Sequence, residues 1–77
     1  MIRAGVLGAT GYAGIETVRI LSNHPTAEIT FAASKTYAGK KISDVYPNLK
    51  GVCDIVLSEV DIAQIKEKCD VVFTALP

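Results

Sequence analysis

Seven residues near the N-terminus, Gly8 to Gly14 (GATGYAG), constrain this chain more than any other stretch. They lie between an apolar run, Ile2 to Leu7, and an amphipathic run that begins at Tyr12, which predicts a turn joining a buried strand to a helix. Glycine adopts backbone angles that other residues avoid, and its missing Cβ lets another group approach closely. Unpartnered amides at a helix N-terminus favour an anion, so this turn is predicted to bind the pyrophosphate of a dinucleotide.

The chain has 77 residues, enough for one domain. No apolar run approaches the 18 residues of a membrane span, and no secretory signal opens the chain, so we expect a cytoplasmic protein without membrane contact. Eight basic residues balance eight acidic ones, which argues against nucleic-acid binding. Cys53 and Cys69 have no metal-ligand spacing and are expected to be core thiols. No metal site is predicted.

The residues around the turn predict one complete βαβ unit. A helix is expected over residues 12–23, because Ile15, Val18 and Leu21 recur at helical spacing and Pro25 prevents its continuation. The pattern of residues 28–34 predicts the second strand.

The second half of the chain predicts a further helix and two further strands. Residues 36–53 lack a clear period but are too apolar for a disordered linker, and a helical turn is expected at residues 43–46. Residues 54–57 are a possible strand, and residues 70–76 are expected to be a central parallel strand closed by Pro77. Between them a helix is expected to begin after Asp61, the N-cap, with Gln64 three residues later completing a capping box. Val60 would pack against Ile65 as a hydrophobic staple, and the helix should end near Cys69. Ser58 is the rival start. The predicted fold class is α/β: a Rossmann-like parallel sheet of about four strands with helices on its faces, incomplete as a dinucleotide-binding domain.

The end of the second strand bears on the choice of cofactor. In a βαβ dinucleotide site this position meets the adenosine ribose, where an acid would select NAD by repelling a 2′-phosphate. Here the sequence reads Ser34-Lys35-Thr36, with no carboxylate before Asp44. Two hydroxyls and an ammonium suit a 2′-phosphate, so NADP is favoured over NAD. The alternative is that Lys35 is only solvated and the hydroxyls cap the turn.

Several motifs resemble N-acetyl-gamma-glutamyl-phosphate reductases of arginine biosynthesis. They are the glycine turn with its G-x-x-G-x-x-G spacing, the helix stop His24-Pro25, the run YAGKKISDVYP at residues 37–47 and the final Ala-Leu-Pro. The resemblance covers nearly the whole chain but only about the first quarter of such an enzyme. It implies that residues 1–77 are the N-terminal portion of an NAD(P)-binding Rossmann domain, without the catalytic domain and inactive alone.

The resemblance also implies a reaction and a set of site residues. Members of this family use NADPH to reduce a small-molecule acyl phosphate to an aldehyde through a cysteine thioester, and a homo-oligomeric parent is expected. The catalytic cysteine motif of the family is not found in this chain, so no catalytic residue is assigned. The cofactor residues carried over are the pyrophosphate turn (Gly8, Thr10, Gly11, Tyr12 and Ala13), the close-packing Gly14, the 2′-phosphate contacts (Ser34, Lys35 and Thr36) and the nicotinamide contacts (Leu76 and Pro77). Lysine at position 35 departs from the arginine frequent in the family, and it replaces a bidentate fork with a point charge.

Two other functions fit the same residues. An extended short-chain dehydrogenase or epimerase begins with a similar glycine turn, and a Tyr-x-x-x-Lys pair further along would favour it. A stand-alone nucleotide-binding module without catalysis is the other alternative.

Overall fold

The fold is a three-stranded parallel sheet with helices packed on it, seen in a computed structural model that describes residues 1–75. Strands and helices alternate along the first half of the chain, as the βαβ prediction requires. The elements in chain order are β1 (Ile2–Leu7), α1 (Tyr12–Ser22), β2 (Ala27–Ala33), α2 (Ile42–Val45), a 3-10 turn (Pro47–Leu49), α3 (Ile62–Lys68) and β3 (Val71–Thr74). The predicted α/β class and the helical turn in the 36–53 connection are confirmed.

The sheet order β2-β1-β3 brings the carboxyl ends of all three strands to one edge. At this edge Leu7 of β1 is paired with Ala33 of β2 on one side and with Thr74 of β3 on the other. In open parallel sheets, ligands bind beyond the carboxyl ends of the strands. The glycine turn, residues 8–14, leaves β1 at this edge.

The core joins the sheet, α1 and the 36–53 connection in one cluster. Val6 of β1 and Val18 of α1 are fully buried, and so is Ile42, while Leu49 is 2% exposed. The connection between β2 and α3 therefore belongs to the hydrophobic core, which agrees with its apolar composition. Cys53 and Cys69 are free thiols, and both are only partly buried.

The strand predicted at residues 54–57 is wrong as a regular strand. The segment makes two isolated bridges, Lys41 with Val56 and Ala33 with Ser58. Its backbone is divided between two partners, because Leu57 N donates to Lys40 O while Ser58 N donates to Ala32 O. Neither pairing is long enough to form a ladder, so within residues 1–75 the sheet has three strands rather than four.

The predictions for α3 and β3 were only partly correct. Asp61 is the N-cap, since its side chain accepts a hydrogen bond from Gln64 N at 3.2 Å, and the rival start at Ser58 is wrong. The helical spacing of Ile62, Ile65 and Cys69 predicts that Ile62 lies on the buried face of α3, yet it is 62% exposed. In the described part of the chain β3 pairs with β1 alone, so the expected central position is wrong, and Phe73 is 41% exposed.

Candidate nucleotide-binding site

The backbone of the glycine turn is held against the end of β2. The amides of Gly8 and Ala9 both donate to Ala33 O, at 3.1 and 2.9 Å. Gly8 adopts a φ of 77°, a backbone conformation that residues with a Cβ rarely adopt. This residue reverses the chain between β1 and α1.

Gly14 lets the first turn of α1 pack directly on the glycine turn. A Cβ at this position would lie 1.8 Å from Gly8 O and 2.9 Å from the carbonyl carbon of Ala9. No side chain fits there, because the atoms it would meet are backbone atoms. The geometry gives Gly14 the close-packing role that the resemblance implied.

Gly11 differs from the other two glycines of the turn, since the fold itself does not require it. Its φ is −77°, which any residue can adopt, and an added Cβ would meet Gly8 O at an ordinary 3.6 Å. Gly11 is the N-cap of α1, and as a glycine it has no side chain that could cap the helix. A missing Cβ at this exposed position leaves room for a ligand to approach the backbone.

The first amides of α1 have no hydrogen-bond partner among residues 1–75, and two of the three, those of Tyr12 and Ala13, belong to exposed residues. The first residues of an α-helix have no intrahelical acceptor for their N–H groups, and within residues 1–75 nothing else accepts from the amides of Tyr12, Ala13 and Gly14. The Tyr12 side chain is 99% exposed.

A cleft of about 470 Å³ opens beside the glycine turn. It is lined by most of the predicted cofactor residues that the structure describes, together with one tyrosine and the residue after β3: Gly8, Thr10, Gly11, Ser34, Lys35, Thr36, Tyr37 and Ala75. We name it the turn cleft. The predicted nicotinamide contacts Leu76 and Pro77 lie outside the described residues.

A larger and more open depression of about 730 Å³ lies near the start of α3, lined by residues that include Leu57, Asp61 and Gln64. It has no glycine turn and no basic residue, and the amide that Asp61 caps is already satisfied. Chemistry rather than size therefore favours the turn cleft for an anionic ligand.

The predicted 2′-phosphate residues differ in their availability. Ser34 is 3% exposed, and its hydroxyl lies 2.8 Å from Thr10 Oγ1 and accepts a hydrogen bond from Tyr37 N at 3.1 Å. These bonds join the end of β2 to the turn. Lys35 and Thr36 are exposed on the rim of the cleft, where a phosphate can reach them.

The sequence reasoning missed Glu59. Together with Gly8, Ala33, Lys35 and Val60 it lines a second cavity of about 300 Å³, which shares Gly8 and Lys35 with the turn cleft. The bridge between Ala33 and Ser58 brings residue 59 to the end of β2. No local pattern could have indicated this, because the acid comes from a segment 24 residues after Lys35.

Tyr46 was also missed, although the run that contains it had been singled out. Its hydroxyl donates a 2.6 Å hydrogen bond to Thr10 O, so the 36–53 connection contacts the glycine turn directly. The chain holds two Tyr-x-x-x-Lys spacings, at residues 37–41 and 46–50. A tyrosine and a lysine four residues apart lie side by side on an α-helix. Neither of these two pairs lies within an α-helix of the structure. This discriminator therefore does not favour a short-chain dehydrogenase.

An ion pair joins β1 and β3 at the amino ends of the strands, the end away from the glycine turn. Arg3 Nη2 lies 3.0 Å from Asp70 Oδ1, and Arg3 N donates to Asp70 Oδ2 at 2.9 Å. The hydrogen bond between the Arg3 and Asp70 side chains lowers the pKa of Asp70 and raises the pKa of Arg3. The pair links the starts of β1 and β3, away from the cleft.

A parallel sheet whose first strand leads through a glycine turn into a helix, with a cleft at the carboxyl ends of the strands, defines a Rossmann-type nucleotide-binding domain. The profile of the semialdehyde dehydrogenase, NAD binding domain family matches residues 3–77. The chain belongs to this family.

Known relatives agree with this assignment. The chain is 54% identical over 77 residues to the N-acetyl-gamma-glutamyl-phosphate reductase of Desulforamulus reducens and 53% identical to that of Thermoanaerobacter pseudethanolicus, covering 100% of this chain and 22% of each relative. The crystal structure of aspartate semialdehyde dehydrogenase with NADP from Candida albicans superposes with a TM-score of 0.84 at 37% identity, over 100% of this chain and 24% of that one. The resemblance found in the sequence is confirmed.

This chain spans about a fifth of the length of the curated relatives it matches. None of the helices within residues 1–75 has the length and apolar character needed to cross a bilayer.

Proposed function

We propose that the chain binds NADP(H) in the turn cleft and is the cofactor-binding part of an enzyme that reduces N-acetyl-gamma-glutamyl phosphate to the semialdehyde. The observation that carries the proposal is that the glycine turn and Lys35 line the same cleft at the carboxyl ends of the strands. The glycine turn offers unpartnered helix amides, and Lys35 lies on the same cleft. The named relatives support the reaction class.

The proposed binding mode combines the cleft lining with the neighbouring amides of Tyr12, Ala13 and Gly14, residues that are not themselves part of that lining. The pyrophosphate binds the amides at the start of α1, where Gly11 leaves it room and the helix dipole favours its charge. The 2′-phosphate binds Lys35 and Thr36 on the rim. The nicotinamide lies towards Ala75, which follows β3 and donates from its amide to Leu7 O at 2.9 Å.

The adenine is proposed to fill the cavity between β2 and the segment before α3. Its walls include the small apolar side chain of Ala33 and the 54% exposed side chain of Val60. Covering Val60 with an aromatic ring removes apolar surface from water. The cavity shares Gly8 and Lys35 with the turn cleft, so the two lie side by side, as a continuous dinucleotide requires.

Lys35 and Glu59 have opposite effects on the choice between NADP and NAD. Lys35 attracts a 2′-phosphate, whereas a carboxylate beside the same cavity repels it and can accept hydrogen bonds from an unmodified ribose. The NADP preference is therefore proposed to be moderate, with Lys35 as its source and Glu59 as its limit.

Bound NADPH supplies the hydride for the proposed reduction. The residues of this chain hold and orient the donor, and no residue of it is proposed to act on the acyl phosphate. That chemistry is assigned to a further part of the proposed parent enzyme. The homo-oligomeric state and the cytoplasmic location stay predictions from the sequence.

Calorimetric titration of the folded chain with NADPH and NADH tests the proposal. Lys35→Glu should weaken NADPH binding at least about tenfold at low salt, because it removes a charge-assisted bond and adds repulsion, while NADH binding changes little. Lys66→Glu on α3, outside the cleft lining, is the matched charge control and should change neither. Glu59→Gln should increase the preference for NADPH.

Two results would contradict the proposal. Equal losses of NADPH and NADH affinity in Lys35→Glu would remove the 2′-phosphate assignment. Binding of neither nucleotide by a chain with a dispersed amide NMR spectrum would remove the cofactor function.

A further inference from the structure

We propose that Tyr46 is a positioning residue for the phosphate-binding turn: its hydroxyl holds the Thr10 carbonyl and so keeps the backbone of residues 10–12 in the arrangement that accepts an anion. The inference rests on the proposed function, because it assigns a role within the same site. It also gives the 36–53 connection a task at the cleft.

The hydrogen bond from Tyr46 is short and joins distant parts of the chain. Tyr46 Oη donates to Thr10 O at 2.6 Å across 36 residues of sequence, and the contact is partly buried. Thr10 is held a second time, because its Oγ1 lies 2.8 Å from the buried hydroxyl of Ser34. Both the main chain and the side chain of Thr10 are therefore fixed by residues outside the turn.

The turn has reason to need such support. Thr10 lies between Gly8 and Gly11, and glycine has more conformational freedom than any other residue. The peptide group is planar, so fixing the Thr10 carbonyl also fixes the amide of Gly11, which donates to Gly8 O at 3.2 Å. If this peptide group rotated, the carbonyl oxygen could turn to the cleft and repel the bound phosphate.

Tyr46 is itself held in place by backbone hydrogen bonds and by packing against the core. Its amide donates to Ile42 O at 2.9 Å at the end of α2, and its carbonyl accepts from Leu49 N at 2.9 Å. Ile42 is fully buried, Leu49 is 2% exposed, and the Tyr46 ring packs against the cluster they belong to. A hydroxyl held in this way can position the flexible turn rather than follow it.

The test compares two ligands in Tyr46→Phe, which removes the hydroxyl and keeps the ring. NADPH is proposed to contact the amides at the start of α1 through its pyrophosphate, whereas adenosine 2′-monophosphate has no pyrophosphate to place there. We expect an NADPH affinity about three- to tenfold lower, the effect of one hydrogen bond, with the affinity for adenosine 2′-monophosphate unchanged. Amide NMR titrations measure both in the 77-residue chain.

Val45→Ala is the matched control variant. Val45 is partly buried against the same core cluster, and its truncation loosens the connection without removing the Tyr46 hydroxyl. It should lower the urea midpoint but leave both ligand affinities of the folded protein unchanged. A general loss of stability is thereby separated from a positioning effect.

A second readout needs no ligand. Amide hydrogen exchange at Gly11, whose N–H is bonded within the turn, should be several-fold faster in Tyr46→Phe and unchanged at the core of β1. Unchanged exchange at Gly11, or equal losses of affinity for the two ligands, would overturn the inference. Failure of the wild-type chain to bind NADPH would contradict the proposed function, while the exchange measurement would still decide the role of Tyr46.

Discussion

Gly14→Ala should destabilise the fold strongly, although alanine is the better helix former. The added Cβ would lie 1.8 Å from Gly8 O and 2.7 Å from the carbonyl carbon of the same residue. Restoring normal contact distances requires α1 and the turn to separate by more than about 1 Å, and overpacking of this kind costs about 1–3 kcal/mol. We expect a cost at the upper end, because the obstructing atoms are backbone and cannot change rotamer.

The net effect is measurable by urea unfolding. The intrinsic preference for alanine in a helix returns about 1 kcal/mol, which leaves a loss of about 2 kcal/mol. With a denaturant dependence of about 1 kcal/mol per molar urea, the midpoint should fall by about 2 M. A domain of this size has a total stability of roughly 4–12 kcal/mol, so the variant should be folded but much weakened.

Gly11→Ala is the matched control, the same substitution three residues earlier. Its Cβ meets Gly8 O at 3.6 Å, and its φ of −77° suits alanine. We expect a loss below about 1 kcal/mol, the preference for glycine over alanine at an N-cap. If Gly14→Ala proved as stable as Gly11→Ala, the close-packing argument would be refuted.

Two further substitutions test the remainder of the fold. Asp61→Ala should lower the free energy of unfolding by about 0.5–2 kcal/mol through loss of the α3 cap, whereas Asp61→Asn, which can still cap, should lose much less in the same urea titration. Asp70→Asn should be less stable than the wild type at pH 7, because the folded-state pKa of Asp70 lies below its ordinary value of 3.8 and the stabilisation is present above that value. The difference between the two proteins should disappear as the pH falls through the folded-state pKa, and a constant difference down to pH 2 would contradict the assignment.

Features encoded by neighbouring residues were predictable from the sequence. The apolar run before Gly8 and the helical spacing after Tyr12 correctly predicted β1 and α1, and Asp61 was correctly identified as a cap. Each depends on contacts within a few residues along the chain, where backbone geometry leaves few alternatives.

Burial and pairing in the second half were less predictable. Ile62 follows a helical apolar pattern, yet it is mostly exposed, and no residue of α3 is buried. Residues 54–57 have the composition of a strand, but the backbone bonds of residues 55–58 are divided between the 36–53 connection and β2. Pattern alone cannot show how many partners a segment will find.

The sequence by itself determined the glycine turn, because a strand, the turn and a helix are consecutive along the chain and their geometry is local. The tertiary structure alone decided what surrounds that turn. It brought Glu59 to the cavity of Lys35, buried the Ser34 hydroxyl against Thr10, and placed the Tyr46 hydroxyl on the Thr10 carbonyl. These residues are 24 to 36 positions from their partners, and only the packing of the sheet and the core brings them together.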